Sequence, residues 1–421
     1  MNLPEVQSTG DAYTFIWASD NYRIRFDRLV EERGSLQSEI AVQTNDIIEE
    51  TGRRGHIHIA RFNVSSTQSR SSLAKYLTLK QNTVDWSEML ETACYYTLDE
   101  FRKGKPVVSS LAVEPIGKPS YFVSRLLPEN ESTVIFAEGG SGKSWFALAL
   151  AIAVATGKEL PLGIKPKRKC NILYLDWETH ATEFRRRVDW LCAGFSIPHP
   201  EGVFYRQCTR KLSDDAAAIR EAVIEHKIGF VVVDSIAYAL GGEPENAYTA
   251  MGAMNTIRSL TGTTRLILAH MSKGGGDQAK ATPFGSVFFR ESARTVWEMR
   301  GNDSEPQAIG LFQRKSNYIR DRRPIGLELI IDDKNELAMF APYSIEEEET
   351  TLTQHAPLSE RIRIALRRGA RTTSELITVC QANAANIRTT LSRMSDVTRI
   401  NDGGKGSAAL YGLKNKGQLD L

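Results

Sequence analysis

The chain has 421 residues, of which 25% are charged, 41% hydrophobic and 8% aromatic, with a net charge of +2. These are the proportions of an ordinary soluble protein, and the length predicts about three domains. No apolar run approaches the roughly 20 residues that a membrane-spanning helix needs, and Met1–Glu5 carries no basic-then-apolar leader, so a cytoplasmic chain without membrane attachment is expected. The five cysteines, Cys94, Cys170, Cys192, Cys208 and Cys380, include no Cys-x-x-Cys pair, which excludes a disulfide framework and a zinc site and predicts buried, inert thiols.

Residues 1–102 alternate strand-like runs, Tyr13–Trp17 and His56–Phe62, with an amphipathic stretch from Trp86 to Phe101. A small α+β domain without a catalytic constellation is predicted. His56 and His58 lie two apart on a strand and are expected on one face; with no third ligand identifiable, they read as structural. Residues 103–125 read as a linker, with three prolines and two glycines between Lys103 and Pro119.

The most informative segment follows. The apolar run Val134–Phe136 leads into Ala137-Glu138-Gly139-Gly140-Ser141-Gly142-Lys143-Ser144, and an Ala/Leu-rich helical stretch begins at Trp145. Strand, glycine-rich turn and helix form a cradle for a nucleotide triphosphate. Its glycines let successive backbone N–H groups face the phosphates, and the helix adds its positive end. Lys143 is expected to reach the β/γ-phosphates and Ser144 to hold Mg²⁺, with Glu138 to Trp145 as the binding segment. Ala137 stands where the usual pattern has its first glycine, a small residue that can follow a strand at that turn.

Across residues 126–342, β-rich runs alternate with helical stretches, predicting a mainly parallel sheet flanked by helices. The runs are Val134–Ala137, Asn171–Leu175, Phe230–Val233, Arg265–Ala269, Thr295–Met299 and Gly310–Phe312. Asp234, closing Phe230–Val233, is placed to hold the Mg²⁺ shell beside Ser144. Glu178 is preferred as the carboxylate that orients the attacking water, with Asp176 as its rival. On one strand the two share a face, and Glu178 is longer and nearer the carboxyl end. His270, after Leu266–Ala269, is a candidate sensor of the γ-phosphate. Lys273 and Lys280 flank Gly274-Gly275-Gly276, a loop suited to a nucleic-acid backbone.

This order of motifs resembles the RecA-like P-loop ATPase core, and more narrowly it is similar to the RepA-type hexameric replicative helicases and related phage and plasmid ATPases. Phe284–Arg294 resembles that group's Gly-Ser…Arg segment, and Arg314-Lys315-Ser316-Asn317 its Lys-Asn element. The resemblance implies a homo-oligomeric ring, expected to be a hexamer, with ATP at each interface and an arginine of one subunit on its neighbour's γ-phosphate. Arg294 is the first choice for that finger, Lys315 a second interface cation, and Arg320 and Arg322 are rivals.

Residues 343–358 read as an acidic linker around Glu346–Glu349. From Ser359 to Leu421 there are eleven Lys/Arg against five Asp/Glu, a local charge of +6 that leaves −4 for the rest. Helices over 360–368, 373–380 and 384–394, then strands flanking a glycine-rich tip at 401–407, resemble a winged helix over 359–421. Asn386, Arg388, Thr389 and Arg393 on its third helix, and Lys405 at the tip, are expected to contact DNA. The expected function is an ATP-hydrolysing DNA motor, a helicase or translocase serving replication or recombination of a mobile genetic element, with ATP, Mg²⁺ and single-stranded DNA as ligands. The alternative is an ATP-switched DNA-binding loader or recombination mediator that separates no strands.

Overall fold

The computed structural model describes residues 3–9, 12–48, 53–104, 107–114, 117, 120–243, 246–271, 287–301, 307–318, 323–345, 351–401 and 408–414. The chain divides into two compact units, residues 1–117 with 214–224, and residues 118–213 with 225–421.

In the first unit β1 (Glu5–Thr9), β2 (Ala12–Trp17), β3 (Tyr22–Glu32), β4 (Ser35–Ile48) and β5 (Arg53–Asn63) pair in sequence order as an antiparallel meander. Phe15, Trp17, Ile24 and Phe26 fall at alternate positions and are buried, giving the sheet one apolar face. They share a core with Leu73 and Leu77 of α1 (Thr67–Lys80) and Trp86, Leu90 and Ala93 of α2 (Trp86–Lys103). His56 and His58 do not share a face. The register shifts so that His58 lies opposite Val42 and His56 opposite Gln43, leaving Ile57 without a partner in the ladder. Val42 and Gln43 are neighbours pointing to opposite sides, and the bulge carries the two histidines with them. His58 meets Tyr76 of α1 edge-on at 5.3 Å, while His56 lies against Gln43.

The second unit opens with β6 (Tyr121–Val123) and β7 (Leu127–Pro128). Phe122 and Val123 are buried in the core, so the linker expected over residues 103–125 stops short of them. The main sheet contains β8 (Ser132–Ala137), β9 (Asn171–Asp176), β10 (Val203–Gln207), β11 (Ile228–Asp234), β12 (Thr264–His270), β13 (Thr295–Gly301), β14 (Ala308–Ser316), β15 (Ile325–Asp332) and β16 (Leu337–Pro342). Its order is β10-β9-β11-β12-β8-β13-β14-β15-β16, parallel as far as β13 and antiparallel beyond it. Of these, β10, β15 and β16 are absent from the sequence reading. The parallel strands are near-continuous apolar runs, as burial on both faces requires; Val231–Val233 and Leu266–Ala269 are fully buried. The crossovers carry α3 (Lys143–Thr156), α4 (Ala181–Phe195), α6 (Ile236–Ala239), α7 (Ala247–Arg258) and α8 (Val287–Ser292), while α5 (Leu212–Glu225), between β10 and β11 in the chain, belongs almost wholly to the first unit. α3 is apolar all round and almost wholly buried, the mark of a helix at the centre of its domain.

Beyond the sheet, Ile345, with Leu352 of α9 (Thr351–His355) and Ala356, packs on Ala308 and Phe312. The linker expected over 343–358 is therefore in part packed chain; Glu346–Glu349 lie outside the described residues. α10 (Leu358–Arg367), α11 (Thr373–Val379) and α12 (Ala384–Arg393) bury Ile362, Leu366, Leu376, Ile387 and Leu391 together. α11 begins at a reciprocal capping box between Thr372 and Glu375. β19 (Leu410–Leu413) pairs with β18 (Val397–Asn401) on one side and with β17 (Arg371–Thr372), a strand too short to read from sequence, on the other.

Among the described residues no helix is long and apolar enough to cross a membrane. None of the five cysteines is in a disulfide, and burial pushes the thiol of Cys94 up to about 12 and those of Cys192 and Cys380 to about 11.

Candidate active site

The sheet order brings the carboxyl ends of β9, β11, β12 and β8 side by side, and Asp176, Asp234, His270 and the glycine-rich turn gather there. At these ends lies a cavity of about 390 Å³ lined by Gly140–Trp145, Glu178, Thr179, Arg187, Asp234, His270, Gln307, Leu329 and Ile331. Gly142, immediately before α3, adopts φ +86°, and a Cβ there would meet Ile309 Cδ1 at 3.2 Å and Leu329 Cδ2 at 3.3 Å. Its conformation is strained for any side chain, and a Cβ would also press on those two side-chain ends. With no side-chain cap on α3, its first N–H groups remain open to an anion.

Lys143 is buried, and its Nζ donates to the carbonyl oxygens of Ala137 at 3.2 Å and Glu138 at 2.7 Å. Burial lowers its ammonium pKa, against the opposing pull of Glu178, Asp234 and Glu138. Ser141 Oγ donates to the carbonyl of Glu138 at 2.8 Å, closing the turn. The Glu138 side chain is itself exposed and pairs with Arg300 at 3.1 Å. Arg300 in turn binds the buried Glu298 at 2.6 Å, and Arg314 binds the other oxygen of that carboxylate. Sequence reasoning missed this network because its members lie on β13 and β14, far from the turn in sequence. Trp145 stacks on Trp190 of α4 with centroids 6.5 Å apart, and Arg187 lies 5.5 Å over its ring.

Asp234 is almost wholly buried. Burial pushes its carboxyl up to about 6, although Tyr174 Oη donates to it at 2.6 Å and the Ser144 hydroxyl also hydrogen-bonds it. A carboxylate and a hydroxyl oxygen brought together beside a phosphate cradle, in a pocket that penalises uncompensated negative charge, fit a hard divalent cation that keeps most of its water. Ser144 and Asp234 are the residues that would hold Mg²⁺, which when bound neutralises phosphate charge.

β9 ends at Asp176, so Glu178 lies in the loop beyond the strand and the expectation that the two share a strand face is corrected. Asp176 is buried and turns that loop: its Oδ1 accepts the N–H groups of Glu178 at 2.8 Å and Thr179 at 2.9 Å, and its Oδ2 accepts the Thr179 hydroxyl. A carboxylate so engaged is a local organiser. Glu178 instead stands on the cavity wall, with its Oε1 3.1 Å from His270 Nε2, so the proposed water-orienting group and the proposed sensor are in contact.

Arg294 and Lys315 are not in this cavity. The Arg294 N–H donates to Ser132 at the amino end of β8, its guanidinium lies 3.6 Å from Glu131, and Lys315 Nζ donates to the carbonyls of Arg290 and Glu291. The turn follows the carboxyl end of β8, one strand length or about 17 Å away at the rise of a β-strand. Arg388 and Arg393 are exposed on α12. Lys273, Lys280, Arg320, Arg322 and Lys405, and the segment 284–286, lie outside the described residues.

Thr179, Arg187, Gln307, Leu329 and Ile331 also line the cavity and were not foreseen. Only Arg187 left a trace, as the third of the consecutive Arg185–Arg187 on the helix that follows Glu178. No curated protein matches the chain. Residues 98–276 match the family model of the AAA domain; the matched stretch includes Lys143, Ser144, Glu178, Asp234 and His270, and β13–β16 lie beyond it.

Proposed function

We propose that this protein is an ATP-hydrolysing DNA motor, a helicase or translocase that works as a homo-oligomeric ring, of six subunits on the resemblance above, in replication or recombination of a mobile genetic element. ATP occupies the cradle with Mg²⁺ between Ser144 and Asp234, Lys143 contacts the β/γ-phosphates, and Glu178 orients the water. His270 registers the γ-phosphate through its contact with Glu178.

One observation carries the ring. Arg294 and Lys315 sit at the amino end of β13, where no phosphate in the same chain's cradle is within reach. Beside Arg290 they make a cationic edge, and a neighbouring subunit's cradle set against that edge would receive the arginine that the reaction needs. The basic surplus after Ser359, with Arg388 and Arg393 exposed on α12, supports DNA contact by a C-terminal winged helix.

Mixing two inactive variants tests this reading. Lys143→Ala and Arg294→Ala chains are each expected to lose turnover, and an equal mixture to recover about a quarter of the wild-type rate, since one interface in four then pairs an intact cradle with an intact finger. No recovery on mixing would refute a shared site. A turnover rate indifferent to single-stranded DNA would refute the motor.

A further inference from the structure

Glu178 and Thr179 are walls of two cavities. Besides the nucleotide cavity they border a second, of about 560 Å³, framed by the ends of β9, β10 and β11 and lined also by Trp177, His180, Gln207, Cys208, Thr209 and Tyr238. Among its described lining residues there is no lysine or arginine, and Glu178 contributes negative charge, so the cavity is unsuited to phosphate. It offers aromatic surface beside neutral hydrogen-bonding groups. Tyr238 is 61% exposed, Trp177 is fixed by donation from its Nε1 to the Arg210 carbonyl at 2.8 Å, and Gln207 and Thr209 are exposed at the rim. A flat, uncharged ligand with donors and acceptors along its edge fits this lining, and a nucleobase is such a ligand.

Tyr238 also touches the reaction centre. Its ring meets that of His270 edge-on, with centroids 6.3 Å apart and planes at 88°, and His270 Nε2 lies 3.1 Å from Glu178 Oε1. We propose that the second cavity takes one base of a bound single strand, stacked on Tyr238, and that its occupancy reaches Glu178 through His270. In the structure one carboxylate oxygen of Glu178 is engaged by His270. A base packed against Tyr238 favours the arrangement in which the two part and Glu178 turns to the water at the γ-phosphate. Tyr238 and His270 act here as positioning residues. The inference rests on the single-strand reading above and adds the place where a base is read and the route by which it governs hydrolysis.

The test compares the full chain with an oligothymidylate and with an abasic strand of equal length, which keeps the phosphates and lacks the bases. Strand affinity and the ratio of strand-stimulated to strand-free ATP turnover are measured. The abasic strand is expected to bind about 5- to 150-fold more weakly, the worth of one stacked base, and to give no stimulation. Tyr238→Ala is expected to lose stimulation by the intact strand, and Tyr238→Phe, which keeps the stacking face, to retain it. Should Tyr238→Ala fail to fold, Tyr238→Leu keeps apolar volume without a ring face and is expected to lose stimulation equally. Equal stimulation by both strands, or wild-type stimulation in a folded Ala or Leu variant, overturns the base site while leaving DNA binding standing. Failure of wild type to bind either strand overturns the single-strand reading, and the proposed occupant with it.

Discussion

Replacing Gly194 by alanine is expected to destabilise the sheet domain, although the same exchange in an open helix stabilises. Gly194 lies in the last turn of α4, where a Cβ would stand 2.1 Å from the carbonyl oxygen and 2.8 Å from the carbonyl carbon of Ala338 on β16. Both atoms belong to backbone within a sheet and cannot rotate aside, so helix and strand must separate by about 1 Å. Overpacking of this kind costs about 1–3 kcal/mol. The intrinsic gain of alanine over glycine inside a helix is about 1 kcal/mol. A 2.1 Å approach to backbone belongs to the upper part of that range, about 2–3 kcal/mol, so the net expectation is about 1–2 kcal/mol of destabilisation, or a fall in Tm of about 2–8 °C for a domain of this size. Gly252 in α7 is the control: it is exposed, with nothing within 4 Å of its would-be Cβ, so Gly252→Ala is expected to raise Tm by about 2–4 °C. Thermal unfolding of the full chain followed by near-ultraviolet circular dichroism reads both. An unchanged or raised Tm for Gly194→Ala would refute the close approach of α4 to β16. Because α4 also carries Arg187 to the cavity wall, a fall in ATP turnover should accompany the fall in Tm.

Glu178→Gln is expected to lower turnover by about 10²- to 10⁴-fold with nucleotide binding retained, the range for a lost general base, measured by single-turnover hydrolysis beside equilibrium nucleotide binding. Glu298→Ala leaves Arg300 and Arg314 without their buried partner and is expected to cost about 3–5 kcal/mol in chemical denaturation, with weaker nucleotide binding because Arg300 also holds Glu138. Hydrogen bonds from Arg186 and Arg187 hold Glu183 down at about 2, below its ordinary 4.5. A lowered carboxylate contributes stability above its unfolded pKa and loses it as pH falls towards the folded value, so the Tm difference between wild type and Glu183→Gln is expected to be full at neutral pH and to vanish between about pH 4.5 and 2.

The glycine turn, Lys143, Ser144 and the strand-ending Asp234 were legible in the sequence because each depends on its neighbours: an apolar run, then residues whose chemistry suits a strand end or a helix start. The parallel core strands were legible for the same reason. What lay out of reach depends on register and on contacts between distant segments. A single bulge moved His56 and His58 to opposite faces, and the end of β9 at Asp176 placed Glu178 in a loop, where period-2 counting no longer applies. Strand order set Glu178 against His270, put Leu329 and Ile331 beside the glycine turn, and left Arg294 at the far end of β8. Local chemistry is written in consecutive residues, and by itself it determined where strand, glycine turn and helix follow one another. Which side chains surround that turn, and which stand far from it, was decided only when the nine strands of the described sheet took their order, because burial and pairing act between segments that the sequence keeps apart.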